Sequence, residues 1–243
     1  MSLKIKWIGN AFFTLQTENK LLFVDPWIKN NKGVLMTMDE AFAMKPDYVL
    51  VTHGHPGHYG RGDSVEIANT VGCPYISTTE VVKYTLGKGL LKAPYIGMAP
   101  GSKIYLDGME IELYSAKHPP IEIDPVWREV PGEPNGFYVI GIDGKVVMQV
   151  GDTEQDAVYE KVAQNHHVDV AMLPIKGGSD ALKRDSEIIT LLSIIDVVKP
   201  DKVLIHNRWK PERPAYEAFA KGIAGLALKS EIYPQMIGTE VLL

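Results

Sequence analysis

Short apolar runs with the composition of β-strands dominate the first part of the chain. Three of them are separated by turn-forming residues and predict a meander, namely Lys4–Ile8, Phe12–Thr17 and Leu21–Val24. A fourth run, Tyr48–Thr52, is apolar almost throughout, which is typical of a strand covered on both faces. Helical spacing of apolar positions, with a capping residue at the start, follows at Asp63–Val71 and Thr78–Leu86.

The second part of the chain returns to strands and then alternates helices with strands. Four strands are predicted first, the last two joined by the turn Asp143-Gly144: Lys103–Leu106, Glu110–Ser115, Phe137–Ile142 and Lys145–Val150. Helices and strands are then predicted in turn at Asp156–Gln164, Val168–Leu173, Ser186–Val197, Lys202–Ile205, Ala215–Gly222 and Thr239–Leu243. Meanders followed by this alternation predict an α+β fold in one domain over residues 1–243, with two sheets and helices outside both.

Composition narrows the classes of partner. The 243 residues include 25 Lys and Arg against 30 Asp and Glu, which gives a formal net charge of −5. This balance gives no electrostatic reason to expect nucleic acid or an anionic membrane as partner, so we expect a small-molecule substrate. The longest apolar runs are too short to span a bilayer, and the start of the chain lacks the apolar block of a signal peptide. We therefore expect a cytoplasmic protein, either monomeric or homo-oligomeric.

A single cysteine, Cys73, excludes an intramolecular disulfide and a structural zinc site of the Cys₄ or Cys₂His₂ type. Histidine offers a different route to a metal. His53, His55 and His58 directly follow the run Tyr48–Thr52. Residues i and i+2 at a strand end project to the same side, so His53 and His55 can converge. A polar surface turn better explains one histidine alone, but three so close together favour a metal site, because imidazole is the commonest metal ligand.

Three further candidate ligands follow apolar strands elsewhere in the chain: His118, Asp152 and His206. Polar residues are common at strand ends, which is the simpler explanation for any one of them. The ends of adjacent strands form one rim, however, so polar groups at the ends of four separate strands predict a shared centre.

The sequence therefore resembles the metallo-β-lactamase superfamily of metal-dependent hydrolases over nearly its whole length. The order of the motifs matches, with Asp25 after an early strand, then the three-histidine segment, His118, Asp152 and His206. Three segments look most like the ascorbate-6-phosphate-lactonase-like branch, namely Val150–Thr153, Leu173–Gly178 and Leu204–Asn207. The resemblance implies a four-layer αββα sandwich with a metal centre at one edge.

The resemblance also implies how the centre is divided between ligands. It gives two ligand sets, of which the first is His53, His55 and His118 and the second is His58, Asp152 and His206. Asp152 is expected to bridge two divalent ions, with zinc as the first choice and manganese or iron as alternatives. Asp152 and His206 are also the candidate catalytic residues.

Other residues receive supporting or no roles. Asp25 is expected to hydrogen-bond a ligand or, equally well, to cap the turn before Pro26. His166 and His167 match nothing in the superfamily pattern, and we interpret them as surface residues.

One position departs from the superfamily pattern His-x-His-x-Asp-His. Gly57 stands where a carboxylate ligand of the second ion is expected. Asp152 is then the one protein carboxylate that offsets the repulsion between two ions, so we expect the second ion to bind weakly. Either one ion is held, or water or another acidic group completes the second site, for which Asp63, Glu122 and Asp124 are candidates.

Three neutral histidines leave an open coordination position, as in catalytic zinc sites. A divalent ion lowers the pKa of bound water from about 15.7 toward 7. We therefore predict that a metal-bound hydroxide hydrolyses a small polar ester, lactone or phosphoester. Lys176 and Arg208 are candidates for binding a phosphate or carboxylate, and Trp127 for covering the ligand. A degenerate metal-binding relative without catalysis is the alternative that Gly57 favours, and a metal-free scaffold protein is a third hypothesis.

Overall fold

The computed structural model describes residues 2–117, 136–154, 157–175, 181–207, 229–233 and 237–243. Within these ranges the strands form two sheets of seven strands each. The strands are β1 Lys4–Gly9, β2 Phe12–Gln16, β3 Leu21–Val24, β4 Tyr48–Leu50, β5 Tyr75–Thr78, β6 Tyr95–Met98, β7 Lys103–Leu106, β8 Met109–Ser115, β9 Gly136–Ile142, β10 Lys145–Gln149, β11 Val170–Ile175, β12 Lys202–Asn207, β13 Glu231–Tyr233 and β14 Glu240–Leu242.

The two sheets share one design. The first has the order β14-β1-β2-β3-β4-β5-β6, antiparallel as far as β3 and parallel from β3 to β6. The second has the order β13-β12-β11-β10-β9-β8-β7, antiparallel from β7 to β10 and parallel from β10 to β13. Parallel neighbours end at the same sheet edge, so each sheet collects its strand-end residues along one rim.

Helices cover the outer face of both sheets. The described helices are α1 Met38–Met44, α2 Pro56–Tyr59, α3 Asp63–Val71, α4 Thr79–Gly87, α5 Val158–Asn165 and α6 Ala181–Val198. Leu15 and Leu50 of the first sheet share a core between the sheets with Ile140 of the second. Separate apolar layers lie outside the first sheet, under α3 and α4, and outside the second, under α5 and α6. The predicted αββα sandwich is confirmed.

Most predicted elements are present, with differences at their ends. The helix predicted from Ser186 begins five residues earlier, at Ala181. Five elements were not predicted, namely α1, α2, β5, β6 and β13. The helix predicted at Ala215–Gly222 lies outside the described residues. None of the described helices combines the length and apolar character needed to cross a membrane.

Candidate metal centre

The carboxyl ends of strands from both sheets meet at one edge of the sandwich. Thr52 and His53 follow β4 of the first sheet, and Asp152 follows β10 of the second. The Tyr138 hydroxyl, on β9, donates a hydrogen bond across to the carbonyl of Val51 at 3.1 Å. This bond joins the two sheets next to the histidine segment.

Two glycines allow the sheets to approach this closely. A Cβ atom on Gly136 would lie 2.4 Å from Cδ1 of Leu113 and 3.3 Å from the carbonyl oxygen of Thr52. A Cβ on Gly151 would lie 3.1 Å from the Thr52 hydroxyl oxygen, and Gly151 has a positive φ of 63°. Larger residues at these positions would push the second sheet away from Thr52.

The histidine segment folds back on itself within one helical turn. His55 precedes α2, which has Pro56 at its first position and ends at Gly60 with a left-handed backbone. Proline suits a first helical position because its missing N–H has no partner to lose there. The turn returns His58 toward His53, so the His53 ring lies 4.4 Å from the His55 ring and 4.2 Å from the His58 ring, centroid to centroid.

Asp152 brings a carboxylate from the second sheet to these rings. One ligand atom from each of His53, His55 and Asp152 lies within 4.8 Å of the other two, and all three residues are buried. Asp152 Oδ1 is 3.5 Å from His58 Nε2, and Asp152 Oδ2 is 3.9 Å from His55 Nδ1. The structure therefore places Asp152 between members of both predicted ligand sets.

Asp25 supports His58 from behind. Its fully buried carboxylate accepts a hydrogen bond from His58 Nδ1 at 2.7 Å and one from the Thr52 backbone N–H at 2.7 Å. Asp25 has a positive φ of 50°, an uncommon conformation for a residue with a side chain. Of its two expected roles, the structure shows the contact with a candidate ligand.

Burial and neighbouring charges shift the pKa values of two imidazoles, His58 and His206, in opposite directions. Burial lowers the pKa of His58, but the neighbouring carboxylates of Asp25 and Asp152 outweigh it and raise that pKa to about 9. Burial, together with the charge of His58, lowers the pKa of His206 to about 3. The surroundings of His58 thus favour a positive charge, whereas His206 is a neutral imidazole.

His206 lies near the end of β12 with its edge toward Phe13, at 5.1 Å between ring centroids. The backbone of Asn10 is its hydrogen-bond partner. Its Nε2 atom is buried and has no hydrogen-bond partner among the described residues. A buried nitrogen lone pair of this kind lacks the partner that most buried polar atoms have.

These groups fit a divalent cation. Imidazole nitrogen and carboxylate oxygen are the donors that zinc, iron and manganese sites use. The His206 Nε2 atom, which has no partner among the described residues, and the field that favours positive charge at His58 both suit a cation. His118, predicted to complete the first ligand set, lies outside the described residues, as do Lys176, Arg208, Trp127, Glu122 and Asp124.

Two sequence interpretations need correction. Asp63 was a candidate to replace the missing carboxylate at Gly57, but its Oδ2 accepts the backbone N–H groups of Ile28 and Lys29 at 2.8 and 2.7 Å. Asp63 thus stabilises the loop after β3. His166 was interpreted as a surface residue, but its side chain is only 10% exposed and its Nε2 lies 2.9 Å from Glu112. His167 is 71% exposed, as expected.

Thr52 is the residue that the sequence analysis missed. Its hydroxyl lies 2.9 Å from Asp25 Oδ2 and 3.0 Å from His53 Nδ1. Its position immediately before the first histidine was the available signal. Residues i and i+2 at a strand end point to the same side, which groups His53 with His55 and places Thr52 outside that pair.

The chain is similar to known proteins over most of its length. The family described as the beta-lactamase superfamily domain matches residues 4–204. A UPF0173 metal-dependent hydrolase of Pyrobaculum islandicum is 30% identical over 203 residues, 83% of this chain and 82% of the relative. One from Methanosarcina mazei is 31% identical over 223 residues, 91% of this chain and 90% of the relative.

Solved structures show the same fold. Igni18, a metallo hydrolase from Ignicoccus hospitalis, has a TM-score of 0.79 at 23% identity and covers 100% of this chain and 99% of its own. The metallo-β-lactamase fold protein YhfI from Bacillus subtilis has a TM-score of 0.73 at 14% identity, with 100% of both chains covered. The chain belongs to the UPF0173 metal-dependent hydrolase family of the metallo-β-lactamase superfamily.

Proposed function

We propose that this metal-dependent hydrolase acts on a small polar ester, lactone or phosphoester at the centre formed around Asp152. The observation that carries the proposal is the convergence of His53, His55 and Asp152, whose ligand atoms lie within 4.8 Å of one another in a buried position. The lactone is the substrate suggested by the resemblance to the ascorbate-6-phosphate-lactonase-like branch. We expect the hydrolase to work in the cytoplasm, without nucleic-acid or membrane partners.

The residues that would hold the cation are those of the two predicted ligand sets, His53, His55 and His118 with His58, Asp152 and His206. When bound, a divalent cation lowers the pKa of water toward about 7 and polarises the carbonyl or phosphoryl oxygen of the substrate. Zinc is our first choice for the ion, with manganese and iron as alternatives.

Side chains of the protein are proposed to orient the water, to bind the cation and to bind the substrate. Asp152 Oδ1 and Oδ2 face His58 and His55, so this carboxylate is in place to orient an attacking water and to accept its proton. The low pKa of His206, about 3, keeps its imidazole neutral and leaves its Nε2 lone pair available to a cation. Lys176, Arg208 and Trp127 are proposed to bind and cover the polar part of the substrate.

Gly57 distinguishes this chain from the superfamily pattern. We propose that the second ion binds more weakly than the first, because Asp152 is the one carboxylate among the described residues that faces members of both predicted ligand sets. The alternative of a relative without catalysis is not favoured, since the related proteins are metal-dependent hydrolases.

The test is hydrolysis by metal-loaded protein of three probes, a p-nitrophenyl ester, an unsubstituted γ-lactone and bis(p-nitrophenyl) phosphate. We expect turnover of at least one probe that is lost in Asp152→Asn. His167→Ala is the matched control, because this exposed histidine is remote from the cluster and its loss leaves activity unchanged. Turnover that survives Asp152→Asn, or protein that binds metal and hydrolyses none of the probes, contradicts the proposal.

A further inference from the structure

The Thr52 hydroxyl lies at the junction between a buried carboxylate and two histidine rings. Its oxygen is 2.9 Å from Asp25 Oδ2, 3.0 Å from His53 Nδ1 and 3.3 Å from His58 Nδ1. Thr52 is fully buried, so its hydroxyl has no bulk water to exchange partners with. Each of these contacts therefore has to be satisfied by the protons that the four residues carry.

The proton of the hydroxyl is needed at Asp25. An ionised carboxylate only accepts hydrogen bonds, so the short contact between Asp25 Oδ2 and the Thr52 oxygen requires the hydroxyl to donate. The oxygen of Thr52 then has only lone pairs left for His53. A contact of 3.0 Å with His53 Nδ1 is favourable only when that nitrogen carries the proton.

We propose that Thr52 is a positioning residue that holds His53 in the tautomer protonated at Nδ1. A neutral imidazole carries one N–H, so this tautomer leaves the lone pair on Nε2 for the cation. The influence of Thr52 on metal affinity rests on the proposed function, whereas the tautomer itself follows from the hydrogen bonds alone.

Asp25 extends the same arrangement to the second ligand set. His58 Nδ1 donates to Asp25 Oδ2 at 2.7 Å, which leaves Nε2 of His58 facing Asp152 at 3.5 Å. The backbone N–H of Thr52 donates to the other oxygen of Asp25 at 2.7 Å and fixes the carboxylate. One carboxylate and one hydroxyl thus direct the Nε2 atoms of two histidines from different predicted ligand sets.

The test compares Thr52→Val, Thr52→Ser and the matched control Thr85→Val. Valine keeps the shape of threonine without the hydroxyl, and serine restores the hydroxyl. Thr85 is an equally buried threonine whose hydroxyl bonds backbone carbonyls within α4, so its substitution reports on stability alone. Two readouts are used, namely long-range ¹H–¹⁵N NMR of the histidine rings in metal-free protein and zinc affinity by chelator competition.

We expect wild-type His53 to carry its proton at Nδ1 and Thr52→Val to lose that preference. Zinc affinity falls about 10-fold to 100-fold in Thr52→Val, the range found for outer partners of metal ligands. Thr52→Ser recovers both readouts, and Thr85→Val changes neither.

Several results would overturn the inference. The first is a wild-type His53 that carries its proton at Nε2. The second is a weaker zinc affinity in Thr52→Val with an unchanged His53 tautomer. Failure of Thr52→Ser to recover the tautomer would assign the effect to the threonine methyl group. Absence of zinc binding by the wild type counts against the proposed function instead, because the tautomer is read in metal-free protein.

Discussion

Two groups of side chains in the described structure each bring three possible metal-ligand atoms within 4.8 Å of one another: His53, His55 and Asp152, and Glu110, Glu112 and His166. The first group is buried at the rim where strands of both sheets end, whereas the second is half-buried on the outer part of the second sheet. Distance alone does not separate them. The two groups differ in the positively charged groups that neutralise their carboxylates.

In the second group a lysine side chain of the protein itself, Lys103, supplies the positive charge. Lys103 Nζ lies 2.7 Å from Glu110 Oε1 and 3.5 Å from Glu112 Oε2, and His166 Nε2 lies 2.9 Å from Glu112. The ammonium of Lys103 lowers the pKa of Glu110 through this hydrogen bond. At the first group Asp152 and the neighbouring Asp25 face imidazoles that are oriented by hydrogen bonds, an arrangement suited to an added ion. We expect metal at the first group only.

The largest expected effect comes from neutralising one carboxylate in each group. Asp152→Asn should weaken zinc binding more than about 100-fold, beyond the loss caused by changing an outer partner of a ligand. Glu112→Gln is the matched control and should leave zinc content and affinity unchanged. Elemental analysis and chelator competition measure both. Equal losses in the two variants would show that the two groups do not differ as described.

A second prediction uses two glycines that both have a positive φ, 63° at Gly151 and 76° at Gly144. An added Cβ meets the Thr52 hydroxyl oxygen at 3.1 Å in Gly151→Ala but meets nothing within 4 Å in Gly144→Ala. Each alanine costs about 1–2 kcal/mol of stability for its left-handed backbone.

Gly151→Ala should in addition weaken zinc binding about tenfold, because it displaces the hydroxyl that orients His53. Denaturant unfolding and chelator competition separate these effects. If the two alanine variants have the same zinc affinity, the packing of Gly151 on Thr52 does not matter to the centre.

The first group was largely visible in the sequence, because strand ends are local features. An apolar run followed by His53 and His55 needs no knowledge of the fold to be recognised. The contact between Asp25 and Thr52 does need it, since it depends on the parallel pairing of β3 with β4, which sets Val24 opposite Leu50. Strand order within a sheet is not a local property, so the hydrogen bonds that Thr52 makes with Asp25 and His53 could not be predicted, whereas the resemblance had indicated a contact between Asp25 and a ligand.

The missed strands have a similar physical cause. The β6 strand, Tyr95–Met98, includes a glycine and is half-exposed at the sheet edge, so its side chains do not alternate clearly between apolar and polar. The role of Asp63 was misjudged because its partners, the backbone N–H groups of Ile28 and Lys29, are more than thirty residues away in sequence. Backbone donors leave no trace in a sequence pattern.

The third prediction restores the carboxylate that the superfamily pattern expects. Gly57 lies in α2, where the helical backbone conformation does not require glycine. A unit charge about 4 Å from a cation contributes up to about 4 kcal/mol at an effective dielectric constant near 20, before desolvation is subtracted. Gly57→Asp should therefore raise the affinity for a second ion about tenfold or more.

Isothermal titration with zinc measures the stoichiometry and both affinities of this variant. Gly87→Asp, at the exposed end of α4 where an added Cβ meets nothing within 4 Å, is the control for a general effect of added negative charge. Unchanged binding in Gly57→Asp would mean that another group already compensates the second ion.

The smallest expected effect concerns the cation of the second group. Lys103→Met removes an ammonium that is about one-third exposed, at 34%, so we expect a stability loss below about 1 kcal/mol. Lys6→Met, which removes the exposed pair with Glu240, is the matched control and should cost a similar amount.

The decisive measurement for Lys103→Met is the zinc content after gel filtration. It should not rise in Lys103→Met, because the Glu110 side chain is one-third exposed to water and Glu112 stays paired with His166 at 2.9 Å. A tightly held additional zinc in Lys103→Met would mean that three close ligands suffice once a competing ammonium is removed, and that the hydrogen bonds behind the histidines are not what defines the first group.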